Sequence, residues 1–175
     1  PEFPFLCLTV SGGHTQIVRV DGPFEMEILG QTIDDAAGEA YDKAAKMMGL
    51  PYPGGPLIDQ WAAKGNPGAF TFSEPNVAPL DFSFSGLKTS IRYFLRDEEK
   101  KAPGFTQSNL PDLCASIQYS INNILTRKLM AAARLTGISH LALAGGVAAN
   151  SGLRALMKES AEREGYQLFI PKMAY

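Results

Sequence analysis

The chain has 175 residues, of which 45% are hydrophobic and 19% charged, and its formal net charge is −2 at pH 7. This composition is typical of a globular protein and excludes intrinsic disorder, and the mildly acidic balance gives no basic patch for nucleic acid. No apolar run approaches the ~20 residues that span a bilayer, and no basic segment leads into an apolar one as in a signal peptide. The sequence therefore predicts a cytoplasmic protein that does not bind a membrane.

Both ends of the chain are interpreted as cuts in a longer protein. There is no initiator Met, and Pro1 leads within a few residues into a strand that we expect at the centre of a sheet. At the other end the chain stops at Tyr175, directly after a predicted strand. We therefore expect residues 1–175 to form a single partial domain.

Three strands in a meander open the predicted fold, each bounded by turn residues: 5–10, 15–20 and 24–29. The turn between the first two contains Gly12-Gly13, a pair that allows positive φ and brings backbone N–H groups close to a ligand. Ser11 adds a hydroxyl group beside the glycines. Such a turn suits a phosphate or a polar acyl group, although a single Gly-Gly hairpin is usually only structural.

Repetition strengthens the interpretation of the first turn as part of a site. Two further glycine pairs, in Pro53-Gly54-Gly55-Pro56 and in Gly145-Gly146, each lie beside a predicted helix start. The unpaired N–H groups and the dipole of a helix N-terminus favour anions. The three pairs therefore predict a ligand site that is built largely from backbone groups.

A helix is predicted from Asp34 to Met48, with Thr32 as its N-cap and acidic residues in its first turn. Asp35, Glu39 and Asp42 follow the spacing i, i+4 and i+7, which places three carboxylates on one helix face. An acidic helix face is usually only solvated. The functional alternative is a site for a polyol.

The polyol alternative depends on the turn that follows this helix. A carboxylate beside a glycine turn can accept two ribose hydroxyl protons while the backbone faces a phosphate. Asp42 is the best candidate, because it lies in the last helical turn before Gly54. Asp59 is a second candidate, on a short helix predicted from Pro56 to Gly65.

The pattern loosens in residues 66–107, which contain four prolines and two short aromatic runs. We predict that this segment is an insertion within a regular core. Ser85 to Thr89 opens a helix that is predicted to end at about Arg96. The glycine spacing of a complete phosphate-binding loop is missing there, so no Walker motif is predicted.

The second half of the chain predicts a long helix, a strand, a helix and a strand, over residues 111–137, 138–144, 150–164 and 166–170. Gly145-Gly146 follows the strand at its C-terminal end, where open α/β sheets bind ligands. Asn150 either caps the next helix or contacts a base edge through its amide. For an arbitrary Asn the capping role is the commoner one.

The order of the elements predicts the fold class, which is α/β. Three strands and a helix, followed by helix, strand, helix and strand, is the order of a ribonuclease-H-like half domain. Two such halves hold a nucleotide between them in proteins of the actin, Hsp70 and sugar-kinase (ASKHA) type. We therefore expect one half of such a fold, by analogy at the level of the fold.

Five segments in chain order carry a more specific resemblance: 10–16 (VSGGHTQ), 34–43 (DDAAGEAYDK), 52–56 (YPGGP), 81–89 (DFSFSGLKT) and 144–150 (AGGVAAN). Together they closely resemble the universal tRNA threonylcarbamoyladenosine transferase family. Each segment alone is weak, but five in order across nearly the whole chain are specific.

This resemblance implies transfer of a threonylcarbamoyl group from threonylcarbamoyl-AMP to N6 of the adenosine beside the tRNA anticodon. It implies tRNA, an inactive paralogue and a small ATPase as partners. The first glycine turn is expected to hold the phosphate and carbamoyl end, the two acids the ribose, and Gly55 and Asn150 the adenine. The positions that match the family's substrate- and nucleotide-binding residues are Thr9, Val10, Ser11, Gly12, Gly13, Asp42, Gly55, Asp59 and Asn150; the match assigns no catalytic residue.

The sequence departs from the family in its metal ligands. Members bind a divalent metal, iron or zinc, through an H-x-x-x-H pair upstream and an Asp downstream of the matched region. This chain has only His14 and His140. We therefore expect the metal ligands outside this chain, and we expect the chain alone to be folded but inactive.

Two other functions stay open from the sequence. One is a metalloprotease, an activity long attached to this family under the name sialoglycoprotein endopeptidase, which the absence of an H-E-x-x-H spacing disfavours. The other is a nucleotide-binding or subunit-docking module without chemistry. Peptide cleavage would favour the first, and nucleotide binding without acyl transfer would favour the second.

Overall fold

A computed structural model describes residues 1–172 of the chain. The expectation of a cut at Tyr175 falls on residues 173–175, which lie outside the described residues. Within residues 1–172, none of the helices combines the length and the apolar character that a bilayer span needs.

Within residues 1–172, five strands form one mixed sheet in the order β3-β2-β1-β4-β5. β1 pairs antiparallel with β2 and parallel with β4, β2 pairs antiparallel with β3, and β4 pairs parallel with β5. This is the ribonuclease-H-like arrangement that the element order predicted. The strands are β1 (Phe5–Val10), β2 (Thr15–Gly22), β3 (Glu25–Gln31), β4 (His140–Ala144) and β5 (Gln167–Phe169).

Six α-helices and a 3₁₀ turn (Gly146–Ala149) connect the strands in the described part of the chain. Leu110–Thr136 is the longest helix, with Pro near its start and Gly137 at its end with φ of +71°, as predicted. The helices are α1 (Ala37–Met47), α2 (Gly54–Ala62), α3 (Ser85–Lys101), α4 (Phe105–Ser108), α5 (Leu110–Thr136) and α6 (Ser151–Glu164).

The core lies between one face of the sheet and the helices. Leu6, Leu8 and Val10 alternate along β1 and are fully buried, whereas Cys7 and Thr9 on the other face remain partly exposed. The helical periodicity of α5 produces the matching apolar stripe, in which every member is buried: Leu113, Ile117, Ile121, Ile124, Leu125 and Leu129. Burial of each such side chain contributes about 1.5–3 kcal/mol.

The start of α1 was predicted wrongly, because the helix begins at Ala37 and not at Asp34. The hydroxyl of Thr32 donates to the carbonyl oxygen of Asp35 at 2.6 Å and does not cap a helix. Asp34 accepts hydrogen bonds from the backbone N–H of Phe84 at 2.8 Å and from the hydroxyl of Ser83. These contacts to a distant segment hold the chain in a turn before the helix, and no local signal reveals them.

The three carboxylates that we expected on one helix face have different partners. Asp35 precedes α1 and accepts from the ammonium groups of Lys43, at 2.9 Å, and of Lys88, at 3.1 Å. Burial raises the pKa of Asp35, but the hydrogen bonds from both lysines outweigh it and hold this pKa below its usual value. Glu39 lies 3.5 Å from the same Lys43. Among these three carboxylates, only Asp42 forms no ion pair with a lysine in the described part of the chain.

Other boundaries differ by a few residues. α2 begins at Gly54 and not at Pro56, α3 continues to Lys101 beyond Arg96, and β4 begins two residues after Ile138. The side chain of Asn150 caps α6 by accepting from the N–H of Leu153 at 2.9 Å, which confirms the commoner of its two predicted roles.

The segment 66–107 packs on the core through its aromatic residues. Residues 66–84 form no helix or strand apart from one bridge between Thr32 and Phe82. Phe82 and Phe84 are fully buried in the main core, and Phe72 is 8% exposed. The interpretation of 66–107 as an insertion stays a prediction.

The N-terminus of α1 is held against the β1–β2 turn by a close backbone approach. The N–H of Gly38 donates to the carbonyl oxygen of Ser11 at 3.1 Å. A Cβ on Gly38 would lie 2.6 Å from that oxygen and 2.7 Å from the Cα of Gly12. Only glycine therefore allows α1 to reach the turn.

We expect Gly38→Ala to lower the free energy of unfolding by about 2 kcal/mol, because the displaced helix outweighs the ~1 kcal/mol that Ala gains by helix propensity. Urea unfolding measures this change. Gly12→Ala is the matched control, because a Cβ there meets nothing within 4 Å and φ is not positive. Equal stability of the two variants would show that the close approach is unimportant.

Candidate functional site

A cavity of about 510 Å³ opens where the β1–β2 turn, α1, α2 and the 3₁₀ turn after β4 meet. One glycine of each pair lines it, and we name it the glycine-lined cavity. The lining glycines of the three pairs are Gly12, Gly55 and Gly146. The walls also carry two carboxylates, Asp42 and Asp59, and two side-chain amides, Gln60 and Asn150.

The structure brings five of the nine predicted site residues to this cavity: Gly12, Asp42, Gly55, Asp59 and Asn150. Thr9, Val10, Ser11 and Gly13 are not among the lining residues. The side chain of Val10 is fully buried in the core, so this residue can present only backbone to a ligand. Thr9 lies on β1, with its hydroxyl 3.8 Å from the sulfur of Cys7.

The first turn differs from our expectation in its backbone. Neither Gly12 nor Gly13 has a positive φ. The hydroxyl oxygen of Ser11 accepts the N–H groups of Gly13, at 3.3 Å, and of His14, at 3.0 Å. These two N–H groups are therefore turned inward by a local side chain and do not point at a ligand. The glycines instead leave open space beside the turn, because an added Cβ would meet nothing within 4 Å.

In each of the other two glycine pairs, one glycine allows close packing of two elements and the other lines the cavity. A Cβ on Gly54 would lie 2.2 Å from the Cβ of Ala45, and one on Gly145 would lie 2.1 Å from the carbonyl oxygen of Val10. Gly145 also has a φ of +97°. The first glycine of each pair thus allows two elements to touch, and the second, Gly55 or Gly146, faces the cavity.

Asp42 and Asp59 both line the cavity but are bound differently. The Oδ1 of Asp42 accepts the N–H of Gly54 at 2.9 Å, at the start of α2. Asp59 accepts the N–H of Ser151 with one oxygen, at 2.9 Å, and its hydroxyl with the other, at 2.7 Å. Asp59 therefore ties α2 to the N-terminus of α6 with both oxygens, and Asp42 keeps one oxygen outside the interactions described here.

A buried chain of polar side chains lies behind the cavity. The hydroxyl of Tyr41 donates to Oδ1 of Asn122 at 2.6 Å, and Nδ2 of Asn122 donates to Oδ1 of Asn150 at 3.1 Å. Nδ2 of Asn150 donates to Oε1 of Gln118 at 2.8 Å. These bonds connect α1, α5 and the N-terminus of α6 within the core.

Tyr41 stays neutral in this chain of hydrogen bonds. Burial raises the pKa of Tyr41 well above its usual value, and the negative charge of Asp59 raises it further. The hydrogen bond to Asn122 opposes the shift and does not outweigh it. The phenol therefore keeps its proton and donates a hydrogen bond to Asn122.

Tyr41, Gln118 and Asn122 were not predicted from the sequence as site residues. A signal was present, because Gln118 and Asn122 are spaced i and i+4 on α5 and each follows a buried isoleucine, Ile117 or Ile121. Two amides on the buried side of a helix require partners. Which residues those partners are depends on tertiary packing.

The described residues do not fit a metal ion. Within residues 1–172 no three His, Cys, Asp or Glu side chains come together as ligands. His14 is exposed in the β1–β2 turn, whereas His140 lies on β4 with its ring centroid 6.0 Å from that of Phe169. The two histidines therefore do not form a pair.

The sheet order and a cavity between glycine turns at the ends of β1 and β4 place the chain in the ASKHA fold class, as one ribonuclease-H-like half. Solved structures agree with this class. Full-length HypF, in a phosphate- and nucleotide-bound form, aligns with a TM-score of 0.74 and 10% identity, over 98% of this chain and 31% of that one. The Clostridium difficile activator of 2-hydroxyisocaproyl-CoA dehydratase, solved with bound ADPNP, aligns with a TM-score of 0.55 and 14% identity. This alignment covers 99% of this chain and 56% of the activator chain.

The chain belongs to the tRNA N6-adenosine threonylcarbamoyltransferase family, because the sequence model of that family matches residues 1–175. Relatives of that name from Christiangramia forsetii and Porphyromonas gingivalis are each 56% identical over 175 residues. Both alignments cover all of this chain, and they cover 52% and 51% of the respective relatives. One from Chromobacterium violaceum is 47% identical, over 99% of this chain and 52% of its own. The family resemblance is thus confirmed, and the chain spans about half the length of these relatives.

We expect Asp59→Ala to lower the free energy of unfolding by about 1–3 kcal/mol, because it removes a charged acceptor from two donors of Ser151. Ser151→Ala removes only the hydroxyl and should cost less, about 1 kcal/mol. Thermal or urea unfolding of both single variants and the double variant measures the coupling. Strictly additive losses would show that the two residues do not act together.

Proposed function

We propose that residues 1–175 form one wall of an adenine-nucleotide site in a protein that makes threonylcarbamoyladenosine in tRNA. The group transferred is threonylcarbamoyl, from threonylcarbamoyl-AMP to N6 of the adenosine beside the anticodon. The observation that carries the proposal is the convergence of Gly12, Gly55 and Gly146 on one cavity, in a chain that belongs to this family over its whole length.

The ribose is assigned to Asp42 first. Oδ1 of Asp42 accepts a hydrogen bond from the N–H of Gly54 at 2.9 Å, which fixes the carboxylate. Its other oxygen can accept a hydrogen bond from a ribose hydroxyl. Asp59 supplies a weaker case, because both of its oxygens already accept from Ser151. We therefore assign Asp42 as the ribose ligand and Asp59 as the residue that holds α2 and α6 together beside it.

The phosphate and the adenine are assigned to the backbone walls. Open space beside Gly12 and Gly13 leaves room for the phosphate and the carbamoyl end, with Thr9, Val10 and Ser11 adjoining this turn at the end of β1. Gly55 lies in the first turn of α2, where N–H groups have no intrahelical partner and can donate to a ring nitrogen. Gly55 and Asn150 then frame the adenine.

The chemistry is an acyl transfer between bound partners. The N6 amine of the tRNA adenosine attacks the carbamoyl carbon, a C–N bond forms, the C–O bond to the phosphate breaks, and AMP leaves while the amine loses a proton. Amide donors beside the carbonyl stabilise the negative charge that develops on its oxygen. Alignment of the two substrates supplies much of the remaining rate enhancement.

The remaining components are proposed outside the described residues. The iron or zinc of the family is assigned to ligands beyond this chain, since no suitable group of three occurs within residues 1–172. tRNA is the acceptor substrate, and an inactive paralogue and a small ATPase are the proposed partner subunits. A tRNA substrate also favours the cytoplasm as the location.

Asp42→Asn in the full-length protein should weaken binding of AMP about 10-fold or more, because it removes a charge-assisted hydrogen bond worth about 1.5–3 kcal/mol. Isothermal titration with AMP measures the change. Glu39→Gln is the matched control, with the same loss of charge on the same helix but outside the cavity. Unchanged affinity in Asp42→Asn would remove this residue from the site, and AMP binding without transfer to tRNA would favour a non-catalytic module.

We further expect residues 1–175 alone to give no measurable transfer, because the chain supplies one wall and spans about half of its relatives. The assay follows threonylcarbamoyladenosine formation with synthetic threonylcarbamoyl-AMP and tRNA, and the full-length protein with its partner subunits is the positive control. Turnover by the segment alone would refute the assignment of one wall to this chain.

A further inference from the structure

Asn150 lines the glycine-lined cavity with a side chain whose hydrogen-bonding capacity is almost used up. Its Oδ1 accepts two hydrogen bonds, from the N–H of Leu153 at 2.9 Å and from Nδ2 of Asn122 at 3.1 Å. Its Nδ2 donates to Oε1 of Gln118 at 2.8 Å. An Asn side chain has two acceptor sites and two donor hydrogens, so one N–H is all that remains for a ligand.

The orientation of this amide is fixed by a backbone group. The N–H of Leu153 can only donate, so the Asn150 atom that faces it must be the oxygen. The nitrogen of Asn150 then faces Gln118, which must present its own oxygen. A flipped Asn150 would set a donor against a donor at Leu153 and again at Asn122.

The orientation of Asn150 also determines the orientations of Asn122 on α5 and of the Tyr41 hydroxyl on α1. Because Asn122 donates to Asn150, its other terminal atom is an acceptor, and the hydroxyl of Tyr41 donates to it at 2.6 Å. Asn122 is 2% exposed and Tyr41 is 2% exposed, so water does not compete for these groups. The direction of every bond in the chain therefore follows from the N-terminus of α6.

We propose that Asn122 and Gln118 on α5 are positioning residues that hold the amide of Asn150 so that it offers the cavity a hydrogen-bond donor and no acceptor. They do not touch the ligand themselves. They act through Asn150, one on its oxygen and the other on its nitrogen.

The consequence is selection of the ligand's polarity. A donor-only amide pairs with an acceptor such as a purine ring nitrogen, and it cannot accept the exocyclic amino group of adenine. This inference rests on the proposed function, in which Asn150 lies beside the adenine. It adds that the atom of adenine that Asn150 contacts is a ring nitrogen.

The test compares AMP with 1-deaza-AMP, 3-deaza-AMP and 7-deaza-AMP, in each of which C–H replaces one ring nitrogen. Titration calorimetry with the full-length wild-type protein should show one analogue binding about 5–10-fold more weakly than AMP, the loss expected for one hydrogen bond. Equal binding of all three analogues and AMP would overturn the inference. It would leave the proposed function standing.

Asn122→Leu tests the positioning role, because it removes the donor to Asn150 without adding charge. We expect the preference for AMP over the sensitive analogue to shrink to within about twofold. A merely structural role would weaken AMP and all analogues by the same factor and leave the preference intact. Tyr41→Phe is the milder second variant, which removes only the hydroxyl that orients Asn122, and it should reduce the preference if Asn122→Leu does not fold.

Thr126→Val is the matched control on the same helix. Thr126 is 3% exposed and its hydroxyl is buried without a hydrogen-bond partner among the described residues, so the change removes a buried polar group that does not touch Asn150. It should keep the full preference for AMP. A preference that persists in Asn122→Leu, or that is lost equally in Thr126→Val, would overturn the inference. Failure of wild-type protein to bind AMP would overturn the proposed function and this inference together.

Discussion

Close approach between backbones is the constraint on which the site depends. Three glycines without room for a Cβ, Gly38, Gly54 and Gly145, let α1 reach the first turn, α2 reach α1, and the end of β4 reach β1. Each contact brings one wall of the cavity to its place. Gly12, Gly55 and Gly146, which also line the cavity, by contrast have room for a Cβ, so close packing does not explain glycine at these three positions.

The buried amides show a second constraint, which works through hydrogen bonding and not through shape. Gln118 and Asn122 interrupt an apolar helix face, and burial of an amide there costs free energy unless it is hydrogen-bonded. Their cost is offset only if every polar atom has a partner, and the N-cap of α6 and the hydroxyl of Tyr41 supply those partners. The core therefore specifies one orientation of Asn150, which an apolar core could not do.

Sequence reasoning reached the fold because the fold follows from local periodicity. The alternation along β1, the stripe of α5 and the glycines that end helices are all visible without tertiary information. It failed at Asp34 and Asp35, where contacts to Ser83, Phe84 and Lys88, some fifty positions away, override the capping signal. The family resemblance named candidate residues, but only tertiary contacts distinguish a lining residue from a buried one such as Val10.

Asp42 and Asp59 illustrate why residue type alone does not assign a role. Both are acids beside a helix terminus, and both face the same cavity. Both oxygens of Asp59 accept from one serine, which directs this carboxylate toward the N-terminus of α6. Asp42 accepts one N–H, from a glycine that must be small for α2 to touch α1. The packing constraint that builds the wall thus also orients the carboxylate within it.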